Sequence, residues 1–156
     1  FNSYLEDEGM EFIRKERIAR GEDAAPAPEY FVRCAKTLLQ TGLADTSEVF
    51  STKLGYTLEL TPLSNPYLLK VGDKLTFRLD YRGKPASDLL VQAFTADNPT
   101  ERQRIRTNSK GEAVVTVNNP GIWMIKAVNI QPIIGDPKAK WQSYWAIYLF
   151  ELPEDD

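Results

Sequence analysis

At 156 residues, 42% hydrophobic and 26% charged, the chain is the size of one globular domain, which buries roughly two thirds of its unfolded surface. Its net charge of -3, with Lys and Arg scattered among Asp and Glu, supplies no basic footprint for a phosphate backbone, so no nucleic acid is expected as a partner. Cys34 is the single cysteine, which excludes an internal disulfide. No apolar run reaches the roughly 18 to 20 residues that span a bilayer, and no signal-type segment is read.

The first residues read as a helix. Ser3 and Glu6 have capping-box spacing, Leu5, Phe12 and Ile13 share an apolar stripe, and Gly9 kinks or splits the run. Glu6, Asp7 and Glu8 read as a solvated helical turn, since their spacing lacks the alternating ligands of a calcium loop. Arg14, Lys15, Arg17 and Arg20 crowd the end before Gly21, where cations suit the helix dipole and glycine takes the left-handed cap.

A Pro- and Ala-rich linker, Ala24 to Pro28, leads into an expected second helix ending at Gly42. Phe31, Ala35 and Leu38 recur at helical spacing beside Cys34 and Leu39, while Glu29, Arg33, Lys36 and Gln40 form a polar stripe. That stripe is either a solvated face with one Glu29–Arg33 pair or a partner-binding face carried by Arg33 and Lys36.

From Thr57 the period becomes two. Leu58 and Leu60, then Leu75, Phe77 and Leu79, alternate with polar residues, and Gly-, Asn- and Pro-rich turns punctuate the remainder. Seven strands are expected, near 57–62, 73–81, 88–96, 102–107, 112–117, 122–129 and 142–151. The expected fold is therefore mainly β: a seven-stranded antiparallel sandwich of Ig-like or transthyretin-like type, residues 47–156, with residues 1–46 as a helical preamble. The runs Ile122 to Ile125 and Tyr144 to Phe150 are apolar on both faces, so each needs two covers. The preamble is the expected lid over the outer face of their sheet.

The stretches FNSYLEDEGMEFIRKERIARG, EYFVRCAKTLLQTG, LGYTLELTPLSNPYLLKVGDKL, YRGKPASDLLVQAF, TNSKGEAVVTVNNPGIWMIKAV and WQSYWAIYLFEL together resemble the C-terminal part of a domain-of-unknown-function family formerly annotated NikM-like, a periplasmic component of nickel or cobalt transport. The resemblance implies an exported, periplasmic or secreted protein whose nearest partner is an N-terminal β domain of its own full-length chain or another exported protein. The segment from GKPASDLLVQAF through GIWMIKAV is also similar to transthyretin-like and carboxypeptidase-regulatory-like sandwiches, which serve as binding or spacer modules.

Chemistry is sparse. With no histidine and one thiol, no nickel, cobalt or zinc site and no cofactor are expected from these residues. There is no GxSxG elbow, no phosphate loop and no imidazole base, so a non-enzymatic binding or accessory role is expected. A carboxylate pair stays open, because 22 acidic residues offer many pairs whose separation the sequence does not give. The alternative function is a carbohydrate or small-ligand module stacking on exposed aromatics near Trp141, beside the loop from Asn129 to Lys140, the expected mobile or partner-contacting segment.

Overall fold

The computed structural model describes residues 1–42 and 47–154, so residue 46, the expected end of the preamble, lies outside the described residues. The chain is mainly β. Two short helices, α1 (Asn2–Asp7) and α2 (Glu11–Ala19), precede nine strands: β1 (Glu29–Thr37), β2 (Leu58–Pro62), β3 (Lys74–Tyr81), β4 (Lys84–Pro85), β5 (Leu90–Thr95), β6 (Gln103–Arg106), β7 (Glu112–Thr116), β8 (Gly121–Pro132) and β9 (Trp141–Leu152).

The larger sheet has the order β1-β9-β8-β5-β6, and in the smaller one β3 pairs with β2, β4 and β7. Leu58, Leu60, Leu75, Phe77 and Leu79 of the smaller sheet meet Val91, Trp123, Ile125, Tyr148 and Phe150 of the larger in one buried cluster. Alternation puts these side chains inward, and their burial is the main source of stability, at roughly 1.5–3 kcal/mol for each large apolar side chain. Phe77 is set edge-on to Tyr148, with ring centroids 5.5 Å apart.

The expectation of a helix over residues 29–42 is overturned. Residues 29–37 form a strand that pairs in parallel with β9, Glu29 opposite Trp141 and Thr37 opposite Leu149. Tyr30, Phe31, Val32 and Thr37 favour strands, and apolar residues on both faces of a strand also satisfy helical spacing by coincidence. β1 and the two-residue β4 raise the strand count from seven to nine, and the β1–β9 pair departs from an all-antiparallel arrangement.

Two local expectations also change. Ser3 and Glu6 do not form a capping box: the N-cap is Phe1, without a side-chain cap, and Glu6 pairs with Arg14 instead. Phe12 leaves the apolar stripe and is 60% exposed, whereas Leu5 and Ile13 are buried. Gly9 does split the helix, with φ +70; a Cβ there would lie 2.9 Å from Leu90 Cβ, so the chain can turn this close to β5 only as glycine.

Cys34 is buried, facing inward from β1 opposite Ala146. Its thiol should react slowly with a thiol reagent in the native protein and rapidly after unfolding, as read by reagent absorbance. Equal rates would mean that β1 detaches from β9 in the native state.

Candidate functional site

Side chains of the larger sheet alternate between the core and an outer face. On that face Val128, Ile130 and Trp141 pack against Leu5, Met10 and Ile13 of the two helices, with Phe1, Tyr4 and Trp145 around them. Tyr4 stacks on Trp145 with centroids 5.5 Å apart and an interplanar angle of 8°. The helices thus form a lid over this part of the sheet.

Polar contacts fasten the lid. Glu8, expected in a solvated turn, is instead buried: it pairs with Lys126 and accepts a hydrogen bond from Gln92 Nε2 at 3.0 Å. Arg102, just before β6, and Arg104 and Arg106 within it reach across to the end of α1 and the turn after it. Arg104 Nη1 donates to the Asp7 carbonyl at 2.8 Å, Arg106 Nη2 to the Gly9 carbonyl at 2.8 Å, and Arg102 pairs with Asp7 at 3.3 Å. Carbonyls at a helix C-terminus carry partial negative charge, so this is where cations bind best. Arg17 is buried rather than an ordinary helix-end residue; its Nη2 donates to the Glu22 and Ala25 carbonyls, and its guanidinium lies 5.2 Å from the centre of the Phe1 ring.

The three expected binding residues do not come together. Trp141 is buried under the lid, 5.9 Å from the Phe1 ring, and offers no platform to a ligand. Lys36 points into the fold, where its ammonium lies 2.6 Å from Glu59 and donates to the Thr52 carbonyl at 3.0 Å. Burial would push the Glu59 carboxyl up, but the Lys36 hydrogen bond and charge with the Leu54 and Gly55 amides outweigh it and hold it below the usual carboxylate range. Arg33 alone is exposed, lying over Phe31 at 5.3 Å, and the Glu29–Arg33 pair does not form among the described residues. In a strand, residues four apart share a face but stand about 13 Å from one another, too far for an ion pair.

The lid covers only part of the outer face. Toward the other end of β8 and β9, Ile122 is 51% exposed and Met124, Ile147 and Leu149 are part-exposed, continuous with Ala35 of β1. In the register, Met124 lies opposite Leu149, and Ile147 lies between Lys126 and Ala35. A contiguous apolar strip on a strand face is where a protein surface is most readily covered by another. Its sequence signal was the run of apolar residues on both faces of β8 and β9, which called for more cover than two short helices give.

A second feature lies at the opposite side of the lid. A cleft of about 490 Å³ is walled by the exposed Phe12 ring, Tyr81, Pro85 and Leu89, with the amides of Asn129 and Gln131 in its lining. The loop expected over 129–140 is shorter than that, because β8 continues to Pro132. Within the remainder, Asp136 accepts from the Lys138 and Ala139 amides at 2.7 and 3.0 Å, so the loop is folded on itself.

The model of the family described as Domain of unknown function (DUF4198) matches residues 2–131. The chain belongs to this family. No curated protein and no solved structure matches it. The DUF4198 match takes in both lid helices, strands β1 to β7 and β8 up to residue 131, and β9 lies beyond it.

Among the described residues of this DUF4198 chain, no three His, Cys, Asp or Glu side chains group so as to hold a metal ion, and no helix is long and apolar enough to cross a membrane. Calorimetric titration with nickel, cobalt or zinc should give no binding in the micromolar range or tighter. A stoichiometric tight isotherm would overturn that expectation.

Proposed function

We propose that this chain is a non-enzymatic, exported accessory domain that docks a protein partner through the open half of the larger sheet. The observation that carries this reading is the strip of Ile122, Met124, Ile147 and Leu149, left uncovered beside a lid that covers Val128, Ile130 and Trp141 of the same face. The resemblance to the NikM-like family supports a periplasmic or secreted setting, and the partner is an N-terminal domain of the full-length chain or another exported protein. Strand order supports an Ig-like sandwich. β9-β8-β5 in one sheet and β2-β3-β7 in the other have the order of an immunoglobulin-type fold.

A photo-crosslinking residue placed at position 147 in the full-length protein tests it. Position 147 should give a defined crosslink, whereas position 114, exposed on the smaller sheet, should give none. Equal crosslinking from both, or none from 147, would refute the docking role.

The second reading, a carbohydrate or small-ligand module, moves from Trp141 to the cleft. Phe12 and Tyr81 offer ring faces, and Asn129 and Gln131 offer amides, a combination suited to a sugar. Titration with a panel of mono- and oligosaccharides, followed by NMR of the Phe12 and Tyr81 rings, checks this reading. Saturable shifts confined to those rings would favour it, and unchanged spectra would remove it.

A further inference from the structure

The two edges of the larger sheet are finished differently. At β6 the edge is tied to the smaller sheet: Gln103 Nε2 donates to the Thr116 carbonyl at 2.7 Å, and its Oε1 accepts from the Thr116 amide at 2.9 Å. At β1 no strand among the described residues pairs with the far side. Edge strands in stable monomers are ordinarily short, bulged, proline-bearing or covered, because their free amides and carbonyls invite another strand. β1 runs for nine residues without a proline, and Tyr30, Phe31 and Val32 are all more than 40% exposed.

The pairing with β9 decides which backbone groups are free. The Trp141 amide donates to the Pro28 carbonyl and the Leu38 amide to the Leu149 carbonyl. In a parallel ladder the amide and carbonyl of one residue turn to the same side and alternate along the strand. Even-numbered residues of β1 therefore turn toward β9, and Glu29, Phe31, Arg33, Ala35 and Thr37 turn their backbone groups outward.

Charge on this edge is unbalanced among the described residues and complementary between two chains. Glu29 makes no ion pair among the described residues, and its Oε2 is buried without a hydrogen-bond partner. Burial raises its carboxyl above the ordinary range. Arg33 makes no ion pair among the described residues, and its guanidinium lies over the Phe31 ring. An antiparallel partner strand centred on Phe31 would set Glu29 opposite Arg33 twice, Tyr30 opposite Val32 twice, and Phe31 against itself. Glu29, Phe31 and Arg33 then fall at hydrogen-bonded positions, while Ala35 and Thr37 lie opposite Ala27 and Ala25, beyond the partner's β1. Centring on Arg33 would oppose two like charges, and centring on Val32 would leave Glu29 facing Ala35.

We propose that β1 is a self-pairing edge through which two copies of this chain join, antiparallel, about a two-fold axis at Phe31. Such an interface is isologous and closes at two copies, merging two sheets into one continuous sheet. It uses the strand edge, so it is independent of the docking strip on the sheet face.

Light scattering across a concentration series is the test. The wild-type chain should rise to twice its monomer mass, while Glu29→Arg and Arg33→Glu should each remain monomeric at every concentration. An equimolar mixture of the two variants should regain the doubled mass, because every Glu29–Arg33 contact is then again between opposite charges. Phe31→Pro, which removes an outward amide and the ring at the axis while leaving the β9 ladder hydrogen bonds in place, should be monomeric at every concentration and still fold cooperatively. A wild type that stays monomeric, a mixture that fails to dimerise, or charge variants that dimerise as well as the wild type would each overturn the proposal.

Discussion

Deleting residues 1–22 should convert a well-behaved domain into one that binds a hydrophobic dye and aggregates. The deletion removes Leu5, Met10 and Ile13 from Val128, Ile130 and Trp141, and it adds their bare surface to the strip already open at Ile122 and Ile147. The joined area should exceed the few hundred Å² of contiguous apolar surface that soluble monomers usually tolerate. Polar groups suffer too: Lys126 loses Glu8, and Arg104 and Arg106 lose the Asp7 and Gly9 carbonyls. The cut leaves β1 in place, because residues 29–37 are a strand of the sheet. A finer version keeps the lid and changes one residue. Glu8→Ala leaves Lys126, whose side chain is only 12% exposed, with an uncompensated charge, at a cost of about 3–5 kcal/mol in denaturant unfolding. A truncated chain that stays monomeric and as stable as the parent would show the helices to be an arm rather than a lid.

Much of this architecture was legible where the sequence pattern has only one physical meaning. Leu75, Phe77 and Leu79 alternate with polar residues, and β3 runs over that alternation. The two-faced apolar runs at β8 and β9 called for a cover on each side, and the helices supply one of them in part. β1 was misread because Phe31, Ala35 and Leu38 fit a helical stripe while the fact that decides against it, a free edge of β9 to be paired, is tertiary.

The polar machinery was less visible still. Arg102, Arg104 and Arg106 could be read as one face of a strand, but their partners at Asp7 and Gly9 lie 95 to 97 residues away. Likewise, Lys36 looked like part of a solvated stripe because nothing local marks Glu59 as its counterion. Trp141 failed as a site for the opposite reason: the linker and the Phe1 ring close over it, and an indole at a strand entrance looks the same in sequence whether covered or bare.

The Lys36–Glu59 pair should dominate the acid stability of the fold together with Asp80. Asp80 is buried with Lys53 at 2.6 Å and Arg78 at 3.0 Å, and although burial pushes its carboxyl up, these two partners hold it below the ordinary range, as happens at Glu59. A carboxyl whose pKa is lower when folded contributes stability that is fully present above its unfolded pKa. That contribution is lost as pH falls from the ordinary carboxylate range through the depressed folded value. Stability measured by urea unfolding should accordingly be flat near neutrality and decline on acidification below about pH 5. Glu59→Gln keeps the shape but removes the charge, so it should be less stable than wild type at neutral pH, with the two curves converging in acid, where Glu59 is protonated in both states of the wild type. Glu59→Ala also strips the Leu54 and Gly55 amides of their acceptor and strands the Lys36 ammonium, whose side chain is 8% exposed, so its loss at neutral pH should be larger, about 3–5 kcal/mol. Wild-type and Glu59→Gln curves that run parallel down to acid pH would show that the pair's charge contributes nothing to stability there.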